Sequence, residues 1–463
     1  MSKDVKIPTT GYVEHDGVLA WGPAAINEFK TVTIDRPRRV MRFLIDGDFS
    51  DPNASNIPVS ISVYDGTLPL FSAVGLRNVQ GQSSQEAMKK NFNLKLRRPS
   101  NGKKLYVKMG DWSPVSTITL KGYGTDRTMV RETTTTELWR QMHAHPDRLL
   151  APMSAYKYWD KHDLGMHLTA SFSTYGLPCE LWWNGKFQQL VVWRSRTTND
   201  DYLMDDSNRN HILMQAEHLI DLWGRDFDST GWSIQSPKIK DYEEQDDISQ
   251  KAPVVQAACE RLFRWFQACR ADETRLRQEM HQYLHLKSWL DYILLVNVTG
   301  SYDSFQNNFF LGTWDAKKWS IWPFDHDRAF GVSAWQDINQ AAPDKIGWIT
   351  QRGYPADQDP GFLDILTRRL RPELRARWAE LRGSGIISTD NLKKIILRQI
   401  ALIDRDSMVD DLKIWPLWGN NTVRVDIPYD GRWTVSYIID WFRQRVAWMD
   451  QEWGYPQEQD QLR

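Results

Sequence analysis

Asp303, Asn308, Asp325 and Asp327 are the residues of this chain whose types and spacing could do chemistry. They lie in one stretch, DSFQNNFFLGTWDAKKWSIWPFDHDRAFG, residues 303–331. Their carboxylate and amide oxygens are hard ligands of the kind that magnesium or calcium takes. NNFFLGTW and WSIWPFD are aromatic-rich strand candidates, and the polar run Asp315-Ala316-Lys317-Lys318 between them reads as a turn. With those four residues as the loop, Trp314 faces Trp319, and the pairing continued outward sets Asn308 across from Asp325. Cβ atoms of such a pair lie about 5 Å apart. Asp303 sits just upstream, Asp327 just past the second strand, and His326 between the two aspartates reads as an exposed turn histidine. Asp and Asn are also ordinary turn and cap residues, so the hairpin alone leaves a plain structural role open.

The order of these residues matches a known catalytic layout. Phosphoryl transfer by protein kinases uses a catalytic Asp, a metal-binding Asn five residues on, and a second metal-binding Asp beyond the next strands. Asp303, Asn308 and Asp325 have that order, with Asp-His-Asp where kinases carry Asp-Phe-Gly. No His-Arg-Asp precedes Asp303, because the run there is Gly300-Ser301-Tyr302.

Further blocks follow in sequence. GQSSQ (81–85) is followed by KKNFNLKL (89–96), and then come GYGTDRTMVRETTTTELWRQM (122–142) and LWWNGKFQQLVVW (181–193). With NVTGSYDSFQNNFFL and WSIWPFDHDRAFG, this series resembles the CotH-type (spore-coat protein H) atypical protein kinases across about residues 75–335. The matching features are a Gly-Asn-Ser-Ser block, a Lys-rich strand, an Asp-x-Thr-x-x-Arg helix start, an Asn-Gly hairpin and two acidic motifs. The resemblance implies a two-lobed kinase-like α+β fold, ATP and Mg2+ as cofactors, and transfer of the γ-phosphoryl group to a protein Ser or Thr. Within it Asp303 is the expected catalytic residue, and Asn308, Asp325 and Asp327 are the expected metal ligands. Lys90, then Lys95, are the expected phosphate contacts, with Arg131 grouped beside them as a nucleotide contact.

The departures concern the upper lobe. Gln80 and Gln85 stand where the family has Arg, Gln82 replaces Asn, and Ser195 stands where an acid is expected. A catalytically degenerate kinase fold used for assembly, as a virion or coat component, is therefore the alternative. Phe92, Leu94 and Leu96 alternate, so residues 91–96 read as a half-buried strand with Lys95 on its polar face and Lys90 at its start. Asp126, Arg131 and Glu137 lie on or just before a helix candidate, where Glu137 could pair with a lysine.

The chain has 463 residues, enough for two lobes with elaborations, and its 41% hydrophobic content allows a large core. Three regions are expected: an N-terminal β region over 1–75, a kinase-like upper lobe over 76–200, and a mostly helical lower lobe over 201–463. Ile57, Val59, Ile61 and Val63 alternate as a strand, whereas residues 226–250 read as a long polar loop. The 23 tryptophans fall mostly in strand or helix candidates, which favours core packing. A net charge of −1 gives no basic field for nucleic acid, and no 18-residue apolar run marks a membrane span. The first residues lack the apolar stretch of a signal peptide, and Cys179, Cys259 and Cys269 are odd in number and widely spaced. The expected setting is cytoplasmic, or within a virion or coat assembly. The expected partner is a protein substrate or an assembly partner, with a homo-oligomer open. His281 and His285 have zinc-pair spacing without the Glu of that motif, and no phosphate-loop motif is present.

Overall fold

The computed structural model describes residues 4–6, 12–15, 18–21, 30–81, 88–124, 126–143, 170–216, 227, 231–237, 253–305, 307–332, 342–351, 361–415 and 432–456. The fold is α+β and divides into two compact units. The first comprises residues 1–133, 174–197 and 394–433, and the second residues 134–173, 198–393 and 434–463.

In the first unit, β1 (Asp4–Lys6) pairs parallel with β4 (Thr31–Ile34), and β2 (Tyr12–His15) with β3 (Val18–Trp21) forms a hairpin. Seven further strands close a barrel: β5 (Met41–Gly47), β6 (Ile57–Asp65), β7 (Leu68–Gln80), β8 (Asn91–Arg97), β10 (Thr117–Lys121), β11 (Gly176–Trp183) and β12 (Lys186–Arg194). Strand β9 (Tyr106–Met109) lies outside it and pairs parallel with β4. Closure comes from a parallel pairing of β11 with β5, Cys179 opposite Met41.

The expected alternation in β6 is present, with Val59, Ile61 and Val63 buried and Ser60 exposed. Inward residues of the other strands, among them Phe43, Phe92, Leu94 and Trp193, complete one core. Each such side chain contributes about 1.5–3 kcal/mol of burial, offset by the entropy of ordering it. The boundary expected at residue 75 falls inside β7, and strands on both sides of it belong to the same closed barrel.

Helix α1 (Arg131–Met142) follows β10. The second unit holds a sheet of order β14-β13-β15-β16, made of β13 (Ile212–Ala216), β14 (Trp232–Ser236), β15 (Phe309–Thr313) and β16 (Ser320–Pro323). Strand β14 lies inside the stretch expected to be loop. Its polar composition hides it, but Trp232 is buried and stacks edge-on with Phe263 and Phe309.

The helices are α2 (Pro253–Ala271), α3 (Thr274–Tyr283), α4 (Leu286–Thr299), α5 (Phe362–Arg369), α6 (Arg371–Gly383), α7 (Thr389–Ile400), α8 (Arg405–Ile414) and α9 (Val435–Trp453). Helix α4 is the axis of the second unit: every residue from Ser288 to Thr299 is buried, as an apolar helix without a solvent face must be. It ends at Gly300 in the left-handed conformation, where a Cβ would stand 2.5 Å from the Trp441 ring of α9. Helix α8, in the stretch expected to be lower lobe, belongs instead to the barrel unit and packs on β12. Most large buried side chains are tryptophans, including Trp193, Trp289, Trp322 and Trp441, as the core-packing reading expects. Among the described residues no helix is long and apolar enough to cross a membrane.

Candidate functional site

The acidic hairpin exists, with its register shifted by one residue from expectation. Phe309 pairs with Pro323 and Gly312 with Ser320, and Phe324 N–H donates to Asn308 O at 3.1 Å. Asn308 is thus opposite Phe324, and Asp325 is one residue further along. Extended to the turn, the same register sets Trp314 against Lys318 rather than Trp319. The physical reason is the turn itself. Ala316 adopts φ +57°, and Asp315 Oδ1 accepts from the backbone N–H groups of Lys317 and Lys318 at 2.8 Å each. The left-handed centre of this turn sets the shifted register, whose last ladder pair is Gly312 with Ser320. Trp319 is drawn elsewhere: its N–H donates to Tyr283 O and its carbonyl accepts from His285 N–H.

Both strand ends carry their functional candidates in strained backbone. Asn308 and Asp325 each have φ +56°, which Asn and Asp tolerate better than other non-glycine residues. Asn308 Nδ2 donates to Asp303 Oδ2 at 3.1 Å, and Arg328 Nη1 lies 3.5 Å from the same oxygen. Asp303 sits in a 3-10 turn, Tyr302–Phe305, directly after α4. Asp303, Asn308, Asp325 and Asp327 are all half-buried. His326, expected to be exposed, is buried, and burial holds its imidazole down at about 3 despite Asp325 beside it. The alternation of Asp-His-Asp was the available signal, since it turns the ring away from the two carboxylates.

The barrel unit places the basic candidates. Lys95 is exposed on the outer face of β8, with Asn93, as the alternation predicts. Lys90 is half-buried, and its carbonyl accepts from Gln189 Nε2 at 3.0 Å. Lys89, which sequence reasoning passed over, is fully buried with its Nζ 2.9 Å from Asp411 Oδ2. Burial pushes the Lys89 ammonium down to about 8, against the pull of Asp411. Arg127 Nη1 lies 3.9 Å from the same carboxylate oxygen. A buried lysine with an acid from a distant helix has no signature in one sequence, although the Lys-Lys pair was there to weigh.

Arg131 is fully buried, with its Nη1 2.8 Å from Asp126 Oδ1 and its Nη2 donating to Arg432 O at 2.5 Å. Asp126 Oδ2 also accepts from Arg131 N–H at 2.9 Å, so this pair fixes the start of α1. Glu137 pairs within the helix with Arg140 at 2.9 Å, not with a lysine. Ser195 hydrogen-bonds Tyr175 twice, Oγ accepting from its N–H at 2.8 Å and its own N–H donating to Tyr175 O at 2.9 Å. The block at 82–85 lies outside the described residues.

A protein-family model described as CotH kinase protein matches residues 78–449. The chain belongs to the CotH kinase family. No curated protein matches it. The matched span of this CotH kinase family member contains Lys89, the acidic hairpin and Asp411. Its acidic residues offer oxygen ligands of the kind that magnesium or calcium takes. Among the described residues no three His, Cys, Asp or Glu side chains converge as a cage. Calcium needs six to eight oxygens, whereas magnesium accepts one or two carboxylates and takes the rest from water and phosphate. With its Nδ2 committed to Asp303, Asn308 has Oδ1 to offer a cation.

Proposed function

We propose that this chain is a protein kinase that transfers the ATP γ-phosphoryl group to a protein Ser or Thr hydroxyl. The observation that carries the reading is the Asp303–Asn308 hydrogen bond, at the foot of a hairpin that delivers Asp325 one residue past the position opposite Asn308. Asp303 orients the attacking hydroxyl and accepts its proton. Asn308 and Asp325 hold Mg2+, with Asp327 assisting, and Arg328 keeps Asp303 in place. When bound, the metal neutralises charge on the transferring phosphoryl group, which with positioning supplies most of the rate enhancement. Lys90 is assigned to phosphate charge, and Lys89 and Arg131 to holding the barrel unit's own structure.

The second reading, a degenerate kinase fold serving assembly, draws on Ser195, whose hydroxyl is taken up by backbone where an acid would be needed. Calorimetry with ATP, with and without Mg2+, on wild type and Asp325→Ala separates the two. Magnesium-dependent binding lost in the variant supports the kinase. No binding by wild type favours the assembly protein, which native mass or particle association would then reveal.

A further inference from the structure

We infer that the His326 imidazole, as its Nδ1–H tautomer, is a positioning residue that ties the turn carrying Asp325 and Asp327 to the turn carrying Asp303. The inference rests on the proposed role of those carboxylates. The tautomer follows from a chain of hydrogen bonds that starts in α4. Thr299 Oγ1 lies 2.8 Å from Leu295 O, a carbonyl that can only accept, so the single hydroxyl hydrogen of Thr299 goes there. Ser301 Oγ lies 2.8 Å from Thr299 Oγ1 and must therefore donate to it. Ser301 Oγ is also 2.9 Å from His326 Nδ1, and with its hydrogen already committed it can only accept. The proton is on Nδ1. Ser304 Oγ, 3.2 Å away, is a second contact of the same nitrogen.

One ring therefore touches both sides of the acidic site. Ser301 and Ser304 flank Asp303, whereas His326 sits between Asp325 and Asp327. The Ser304 side is itself anchored, since the Tyr292 hydroxyl of α4 donates to Ser304 O. The segment from 324 to 330 has backbone ties from Phe324 N–H to Asn308 O at 3.1 Å, from Ala329 N–H to His326 O at 3.3 Å and from Phe330 N–H to Thr299 O at 2.6 Å. Between them Asp325 is held at φ +56°, a conformation that surrounding contacts must impose. His326, the next residue, is buried and is tied through Nδ1 to Ser301 and Ser304. Among the described residues its other nitrogen, Nε2, has no hydrogen-bond partner, and the Nδ1 side makes the contacts to Ser301 and Ser304.

Two amide replacements discriminate between the nitrogens. His326→Asn sets an N–H near the Nδ1 position, whereas His326→Gln reaches toward Nε2. His326→Phe keeps a flat ring with neither. The readout is Mg2+-dependent ATP binding by calorimetry on the full chain, with thermal melting of each variant alongside. Outer-contact residues of this kind are worth about 10–100-fold in metal affinity. We expect Asn to retain binding within about threefold of wild type, and Gln and Phe to weaken it by about tenfold or more. Retention by Gln with loss by Asn overturns the inference, because Nε2 is then the working atom. Retention by all three variants overturns it too and leaves the kinase reading standing. Absence of magnesium-dependent binding in wild type overturns both. Where a His326 variant does not fold, Ser301→Ala removes the acceptor instead, and unchanged affinity in that variant counts against the latch.

Discussion

Lys89 Nζ lies 2.9 Å from Asp411 Oδ2, although the two residues are 322 positions apart in sequence. Both side chains are almost wholly buried, and the other carboxylate oxygen accepts from Leu190 N–H at 2.7 Å. Asp411 therefore fastens α8 to two barrel strands at once: to β12 through Leu190, and to the start of β8 through Lys89. Removing one partner leaves a buried charge uncompensated, which costs about 3–5 kcal/mol. Lys89→Met and Asp411→Asn should each lower unfolding free energy by about that amount in urea titrations. Lys90→Met should cost clearly less, since that residue is only half-buried whereas Lys89 is wholly buried. Equal losses from Lys89→Met and Lys90→Met would refute the division of labour proposed for the two lysines.

The same pair gives a pH dependence of definite sign. Folded Lys89 titrates at about 8 and an ordinary lysine at 10.5, so between these values the unfolded chain holds more protons at this site. Stability from this group therefore rises as pH increases from about 8 to 10.5, and its penalty is fully present below 8. Wild type should gain stability relative to Lys89→Met over that window, measured by thermal melting in matched buffers. A parallel pH profile for the two proteins would contradict the buried placement of Lys89.

What the sequence disclosed was local. The β6 alternation and the aromatic strands around residues 309–323 were legible, because period-two burial and turn residues write themselves into neighbouring positions. The hairpin register was missed by one, because a left-handed alanine at 316 is not a residue type that announces itself. Barrel closure joins Cys179 to Met41, and the lysine–aspartate pair joins the two ends of the chain. Neither leaves a pattern in any short window. The burial of His326 was missed, since an exposed turn histidine was expected and only the fold supplies Ser301 and Ser304 to receive the ring.

The hairpin's packing tolerates little at Gly312. A Cβ there would come within 2.2 Å of the Trp322 ring, which is fully buried and stacked on Phe172. Overpacking of that kind costs about 1–3 kcal/mol, and a buried indole has no room to give. Gly312→Ala should lower the melting temperature by several degrees, whereas Gly383→Ala, where a Cβ meets nothing within 4 Å, should leave it unchanged or raise it slightly. Because Gly312 leads through β15 toward Asn308 at the far end, magnesium-dependent ATP binding should weaken with Gly312→Ala as well.

Asp303 tests the chemistry most directly. Its carboxylate is half-buried, accepts from Asn308 and lies beside Arg328, so replacing it with asparagine keeps size and one acceptor but removes the base. A positioned general base contributes about 10²–10⁴ in rate. Asp303→Asn should therefore reduce phosphoryl transfer to a protein acceptor, read as labelled phosphate incorporated, by at least about a hundredfold. Because Asn308 and Asp325 are the assigned ligands, Mg2+-dependent ATP affinity should stay within a few-fold of wild type. Loss of ATP affinity in step with the rate would instead make Asp303 a metal ligand and move the proton acceptor elsewhere. Arg328→Gln provides the companion measurement. It leaves the carboxylate in place without its cation and should lower the rate less than Asp303→Asn does, because it weakens the aspartate's placement without removing it. A larger loss from the arginine variant would assign Arg328 a direct role on the transferring phosphate.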